Sequence, residues 1–443
     1  MKFQHAIDVA RIAAAGLMDL ANGLVNPTLR LGVTGLSRSG KTVFITALVH
    51  ALTKGTRLPV FEAYAQGRIT RAYLEPQPDD DLPRFAYEDH LACLTADDRS
   101  WPEGTRRISQ LRLTLEYEPR GLIARNFGSG KIHLDIVDYP GEWLLDLPLM
   151  NLSYRQWSEA TIAASHAAPR AALAHAWHKH LAALDAQNAA RELDAVKAAE
   201  LFTAYLGKCR EDDIALSSLL PGRFLMPGDF AGSPLLTFAP LDARADQQFL
   251  KGSLGDLMER RYDSYVSKIV RPFFFSHFAR LDRQIVLVDT LSALNAGPAA
   301  VQDLKNALTE VLACFRLGAN SILSAVIGRR IDRILFAATK ADLLHQTSHD
   351  RLENILRLII ADASAKAEFS GAAIDVAALA AIRATREARV KQKNGELPCI
   401  AGVPQRGEKS AAPPLTAKAR WQFSRETCPP IRSNPLTAPC RAS

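Results

Sequence analysis

Apolar and polar residues follow two different rhythms along this chain, and the changes between them divide it. Residues 1–26 begin MKFQHAIDVARIAAAGLMDLANGLV, with apolar positions at helical spacing. Asp8, Arg11 and Asp19 interrupt the pattern, so the reading is an amphipathic helix and not a signal peptide. Over 27–147 the rhythm shortens. LRLGVTG is a short apolar run ending in glycine, which predicts a buried strand, and KTVFITALVHAL after it has a helical period. EPQPDDDLPRF reads as a loop. RISQLRLTLEYEP alternates as a half-exposed strand does, and KIHLDIVDYPG is a more buried one. The Gly-rich PRGLIARNFGSG between them predicts an antiparallel hairpin.

Residues 148–280 change character. They are rich in Ala, Leu and His at helical spacing, with Pro169 placed to start a new helix and LLPGRFLMPGDFAGSPLL as a Pro/Gly loop. The short rhythm returns over 281–403. RQIVLVDTL and RILFAATKAD predict buried strands on either side of the helix AAVQDLKNALTEVLACF, and AALAAIRAT (377–385) predicts a last strand, although its alanines also permit helix. Residues 404–443 have many prolines and no apolar period, which predicts a disordered tail. The fold class is therefore α/β: a doubly wound, mainly parallel sheet with one antiparallel hairpin strand and a large helical insertion.

Charge changes this picture little. The net charge of +7 is concentrated at the end: residues 383–443 hold 12 Lys/Arg and 4 Asp/Glu, a net +8, which leaves −1 for the other 382 residues. A neutral body with a basic tail gives no expectation of specific nucleic-acid binding. The cysteines (Cys93, Cys209, Cys314, Cys399, Cys428, Cys440) form no CxxC pair, which fits a reducing cytoplasm. The amphipathic first helix leaves peripheral contact with the inner membrane open.

The chemistry starts at the first strand. Gly35, Leu36, Ser37, Arg38, Ser39, Gly40, Lys41 and Thr42 fit the phosphate-binding P-loop pattern in full, between a predicted strand and a predicted helix. Such a loop aims its backbone N–H groups, through Val43, at the α- and β-phosphates. Lys41 reaches the β/γ oxygens and the Thr42 hydroxyl ligates Mg²⁺. Asp138 and Gly141 form a D-x-x-G at a strand end, with Asp138 facing Mg²⁺ and the Gly141 N–H facing the γ-phosphate. Thr105, before the hairpin, supplies a second metal-ligating hydroxyl in a switch loop. Thr339, Lys340 and Asp342 end another strand. A carboxylate there accepts from both N1–H and the exocyclic amine of guanine, a donor pair adenine lacks, while the Lys340 stem lies over the base. Asp289, ending the strand before, reads as a cap or a second acidic ligand.

These motifs, in this order, and the wording around them (GVTGLSRSGKTVFITALVHAL, WPEGT, VDYPGEWLLDLPL, VLVDTLSALNAG, FAATKADLLH) resemble the YcjX-type family of bacterial P-loop NTPases, from about residue 5 to residue 403. The resemblance implies a cytoplasmic GTPase-like fold with a helical insertion, GTP/GDP and Mg²⁺ as ligands, and a general link to stress response. It also places IRATRE at the last nucleotide-binding loop, with the Ala384 N–H offered to the base. Two residues depart from common GTPase patterns. Glu142 stands where many switch GTPases carry a water-orienting Gln, which predicts slow turnover. Arg38 stands where some self-activated GTPases carry a potassium-ligating Asn. The expected catalytic set is Lys41, Thr105 and Glu142, and the insertion is the expected contact for a protein partner. Two alternatives stay open: an ATPase in which Asp342 is only a cap, and a nucleotide-binding scaffold or membrane-associated module with little hydrolysis.

Overall fold

The computed structural model describes residues 27–36, 38–55, 61–97, 99–118, 130–211, 214–242, 248–314, 331, 333–368, 373–392, 395–402 and 421–423. The N-terminal helix expected over 1–26 lies outside them, as does the tail apart from 421–423.

Seven strands form the main sheet: β1 (Thr28–Gly35), β2 (Ile69–Glu75), β3 (Ser109–Tyr117), β4 (Gly130–Asp138), β5 (Arg283–Val288), β6 (Arg333–Ala338) and β7 (Ala373–Ala378). Their spatial order is β2-β3-β4-β1-β5-β6-β7. β1 pairs in parallel with β4 and β5, and β5-β6-β7 continue in parallel. β3 is antiparallel to both of its neighbours, so it alone runs against the rest. This is the expected α/β architecture. The strand β2 was absent from the sequence reading: ITRAYLE is short and lies at the sheet edge, where partial exposure leaves no clear apolar run. The last strand also sits elsewhere than expected. AIDVAA, four residues before the predicted start, forms β7, and the expected segment 377–385 turns away after Ala378. Alanines carry too little apolar signal to fix a register. A second sheet follows, built on the antiparallel hairpin of β8 (Thr385–Gln392) and β9 (Gly395–Gly402). Within the tail expected to lack order, β10 (Trp421–Phe423) pairs with β9.

The alternation of side chains builds a core on each face of the sheet, with a smaller cluster of Leu52, Leu113 and Leu115 beside them. Helices α1 (Lys41–Lys54) and α2 (Tyr87–Thr95) cover one face, where Leu31, Val33, Ile136, Leu287 and Ala337 meet Ile45, Val49 and Tyr87. The alternate residues Val286, Val288, Ile334, Phe336 and Ala338 face the other side. The connection from β4 to β5 is helical, including α3 (Tyr154–Ser165), α4 (Arg170–Leu181), α5 (Glu192–Cys209) and α6 (Leu254–Tyr265). Pro169 stands at the N-cap of α4, as its position predicts. The aromatic residues of these helices join the second core, beside α7 (Pro298–Cys314) and α8 (His349–Glu368). No helix among the described residues is long and apolar enough to cross a membrane.

Candidate functional site

Strand register brings the predicted motifs to one edge. Val33 aligns with Asp138, Gly35 with Leu287, Val288 with Ala338 and Ala338 with Ala378. The chain therefore leaves β1, β4, β5, β6 and β7 along a common line, at the carboxyl ends where doubly wound sheets bind ligands.

At the centre of that line the chain curls from β1 into α1. Gly40 has φ 78°, a left-handed conformation suited to glycine, and Arg38 adopts φ 61° without that freedom. The Ser39 N–H bonds the Leu36 carbonyl at 3.1 Å, which closes the turn. No side chain caps α1 at Gly40, so the N–H groups of its first turn face the loop, the arrangement that receives anions. Ser37 lies outside the described residues.

Three segments meet there. The buried Lys41 ammonium donates to Thr105 Oγ1 at 2.5 Å and to Asp138 Oδ1. Thr105 Oγ1 donates to Asp138 Oδ2 at 2.7 Å and lies 3.4 Å from Thr42 Oγ1. Lys41 and Asp138 are 8% and 2% exposed, so this is a desolvated charge pair with a hydroxyl beside it. Two hydroxyls and one carboxylate are hard oxygen donors, which suit Mg²⁺. A cation, the Lys41 ammonium, already contacts two of them. Mg²⁺ is commonly held by one or two carboxylates with the remaining positions filled by water and phosphate. Among the described residues no cluster of three or more His, Cys, Asp or Glu is placed to hold a metal.

The end of the line formed by Asp289, Lys340 and Asp342 is built differently. Lys340 has φ 60° and its ammonium lies 2.6 Å from Asp289 Oδ2. Asp289 Oδ1 accepts the Ser292 N–H at 3.1 Å, so Asp289 is a helix cap that also holds Lys340. Asp342 is not a cap: it sits inside a short 3₁₀ turn, Ala341–Leu343, and its Oδ2 accepts the Ala384 N–H at 3.1 Å. Two residues expected to meet the same ligand group are thus adjacent. Thr339 does not join them, because its N–H and hydroxyl both donate to the Val288 carbonyl, tying β6 to β5.

Gly141 packs on the P-loop so closely that a Cβ there would stand 1.9 Å from the Gly35 carbonyl oxygen. Glu142 follows, starts a short helix (Glu142–Leu145) and is 8% exposed. Its Oε1 lies 3.6 Å from Arg210 Nη1, at the end of α5. A cleft opens here, lined by Leu36, Arg38, Glu142, Arg210 and Asp289 among others. Sequence reading missed Arg210, and no motif surrounds it.

Comparison with known proteins gives the family. The model of the YcjX-like family, DUF463, matches residues 29–419. The chain is 37% identical over 393 residues to the Ras-like GTPase YcjX of Escherichia coli (strain K12), covering 86% of this chain and 84% of that one. It is 35% identical over 404 residues to the Ras-like GTPase YcjX of Shewanella oneidensis, covering 86% and 82%. A P-loop at the carboxyl edge of the sheet and likeness along nearly the whole chain lead to one conclusion: the chain belongs to the YcjX-like family.

Proposed function

We propose that this chain binds GTP with Mg²⁺ and hydrolyses it slowly to GDP and phosphate. One observation carries the reading. Lys41, Thr105 and Asp138 come from segments 64 and 33 residues apart and converge within hydrogen-bonding distance beside the open end of α1. Each has the chemistry its place requires. The Lys41 ammonium and the N–H groups of the loop from Gly35 to Val43 bind the phosphates. Thr42, Thr105 and Asp138 hold Mg²⁺, which when bound offsets charge on the β- and γ-phosphates. The Gly141 N–H faces the γ-phosphate. Glu142 orients the attacking water, whose oxygen bonds phosphorus as the bond to the β–γ bridging oxygen breaks; GDP leaves with that oxygen, one water proton stays on the phosphate formed and the other passes to solvent. Asp342 receives the guanine N–H pair and Ala384 borders it. Turnover is slow because a carboxylate at 142 adds negative charge beside the γ-phosphate.

The test is a nucleotide panel with Mg²⁺, paired with single-turnover hydrolysis by the wild type and Lys41→Ala. GTP is expected to bind at least about tenfold tighter than ATP, and Lys41→Ala to slow hydrolysis by about 100-fold or more. Equal affinities for GTP and ATP sink the guanine assignment. Equal rates for the two proteins sink the enzyme.

A further inference from the structure

The backbone of Glu142 is gripped from two sides. On one side Gly141 rests on the Gly35 carbonyl. On the other is the helical insertion, where Gly222 packs so tightly that a Cβ would stand 1.9 Å from the Glu142 carbonyl oxygen. The grip continues along the short helix. Asp146 Oδ1 accepts the Gly222 N–H at 2.7 Å and its Oδ2 accepts the Tyr265 hydroxyl at 2.5 Å. Trp143 Nε1 donates to the Met226 carbonyl at 3.0 Å, and the Arg223 guanidinium lies 3.5 Å from the Trp143 ring centre. Residues 142–146 are therefore seated in a receptor made by the insertion.

The Glu142 side chain meets that receptor at one charge, Arg210. The carboxylate is 11% exposed, and within the cleft wall it has the guanidinium 3.6 Å away. A cation at this place has two physical effects. It offsets a negative charge that the triphosphate would otherwise repel, and it restricts the rotamers of a side chain whose task depends on direction. Arg210 is itself well placed, because it ends the 18-residue α5, where the helix dipole favours a cation.

We infer that Arg210 is a positioning residue: supplied by the helical insertion, it holds the Glu142 carboxylate in the orientation that serves hydrolysis. The inference rests on the GTPase reading above and deepens it. It makes the insertion a part of the hydrolytic apparatus, since moving the end of α5 away from Glu142 would release that side chain without touching Lys41, Thr105 or Asp138.

A double-mutant cycle on the full chain tests this. Single-turnover rates at saturating GTP are measured for wild type, Arg210→Ala, Glu142→Ala and the double variant, with GTP affinity measured in parallel. Arg210→Ala is expected to lower the rate about ten- to hundredfold while changing GTP affinity less than about twofold, because a misdirected group costs rate and not binding. In the Glu142→Ala background the same substitution is expected to have no further effect, since its target is gone. Arg210→Lys recovers part of the loss, and it replaces Arg210→Ala in the cycle if the alanine variant does not fold. An equal loss in both backgrounds means that Arg210 supports the fold alone and overturns the inference. An unchanged or faster Arg210→Ala overturns it too, as does a Glu142→Ala protein as fast as the wild type. These outcomes leave the GTPase reading standing, which falls separately if the wild type is no faster than Lys41→Ala.

Discussion

The nucleotide-binding edge and the helical insertion are specified by different physics. Along the edge, each functional group lies within a few residues of a strand end, and strand pairing alone carries Lys41, Asp138, Asp289 and Asp342 to a common line. Position there is a property of the backbone. In the insertion, position comes from rings. Trp157 stacks on Tyr262 at 5.3 Å between centroids, Trp177 stacks on Tyr205 at 5.1 Å, and Phe238 meets Tyr262 edge-on at 5.8 Å. These residues belong to the same apolar cluster as Val286, Val288 and Phe336 of the sheet. The insertion therefore shares one continuous apolar core with a face of the sheet.

The largest expected effect tests that shared core. Trp157 is 1% exposed, and its indole nitrogen has no hydrogen-bond partner among the described residues, so its contribution is packing. Trp157→Ala is expected to cost about 3–5 kcal/mol of unfolding free energy. Denaturant titration should show a single transition at a lower midpoint by both circular dichroism and bound-nucleotide fluorescence. If the nucleotide signal keeps its wild-type midpoint while the helical signal falls, the two regions have separate cores and the comparison breaks.

A second test addresses the joint between the regions. Asp146 is buried, and desolvation is the largest influence on it. Its carboxyl is pushed up to about 6, against the opposing pull of the Tyr265 hydroxyl and the Arg223 guanidinium. The folded chain thus holds a proton that the unfolded chain, with an ordinary value of 3.8, releases earlier. The stability gained this way is fully present below pH 3.8 and is lost as pH rises through about 6. Above that the folded chain carries a buried charge, at a cost of about 3 kcal/mol relative to an unshifted carboxyl. Asp146→Asn keeps an acceptor for the Gly222 N–H and never ionises. Between pH 4 and pH 8 its stability relative to the wild type should rise by about 3 kcal/mol, as followed by denaturation at a series of pH values. A difference that stays flat with pH would mean that Asp146 keeps its charge in the fold.

The same contrast explains what was legible in the sequence. The P-loop, D-x-x-G and the strand ending at Thr339 can be read because each packs an apolar run and its functional residues into about a dozen positions. The mainly parallel sheet and the single reversed strand followed from hairpin spacing and strand–helix alternation; the order of the strands did not. Arg210, Gly222 and Arg223 could not be read in this way. Glu142 and Arg210 are 68 positions apart and meet only because the aromatic core brings the end of α5 back to the segment that follows β4. Gly222 sits in a Pro/Gly loop where any glycine looks like a turn residue, and its need to lack a side chain appears only when the Glu142 carbonyl is in place. β7 was misplaced and β2 missed because alanines and edge positions leave the period-2 pattern faint.

The smallest expected effect belongs to the edge alone. Asp342 is partly exposed and its Oδ2 accepts the Ala384 N–H, a bond that an asparagine side-chain oxygen reproduces. Asp342→Asn should therefore leave the fold and the phosphate cluster intact. What changes is the second oxygen, replaced by an amide that donates. Guanine presents two N–H groups there and loses an acceptor. Xanthine presents a carbonyl in place of the exocyclic amine and gains a donor. GTP affinity is expected to fall about ten- to hundredfold, or about 1.4–2.7 kcal/mol, while affinity for xanthosine triphosphate rises. Competition binding with the two nucleotides reads this directly. Trp157→Ala and Asp146→Asn, which act through packing and burial, should leave the ratio of the two affinities where it was. A ratio that does not move in Asp342→Asn would remove Asp342 from base selection. A ratio that moves in Asp146→Asn would show that the receptor under Glu142 reaches the base as well as the phosphates, and that the edge is less autonomous in choosing its nucleotide than its strand-end construction implies.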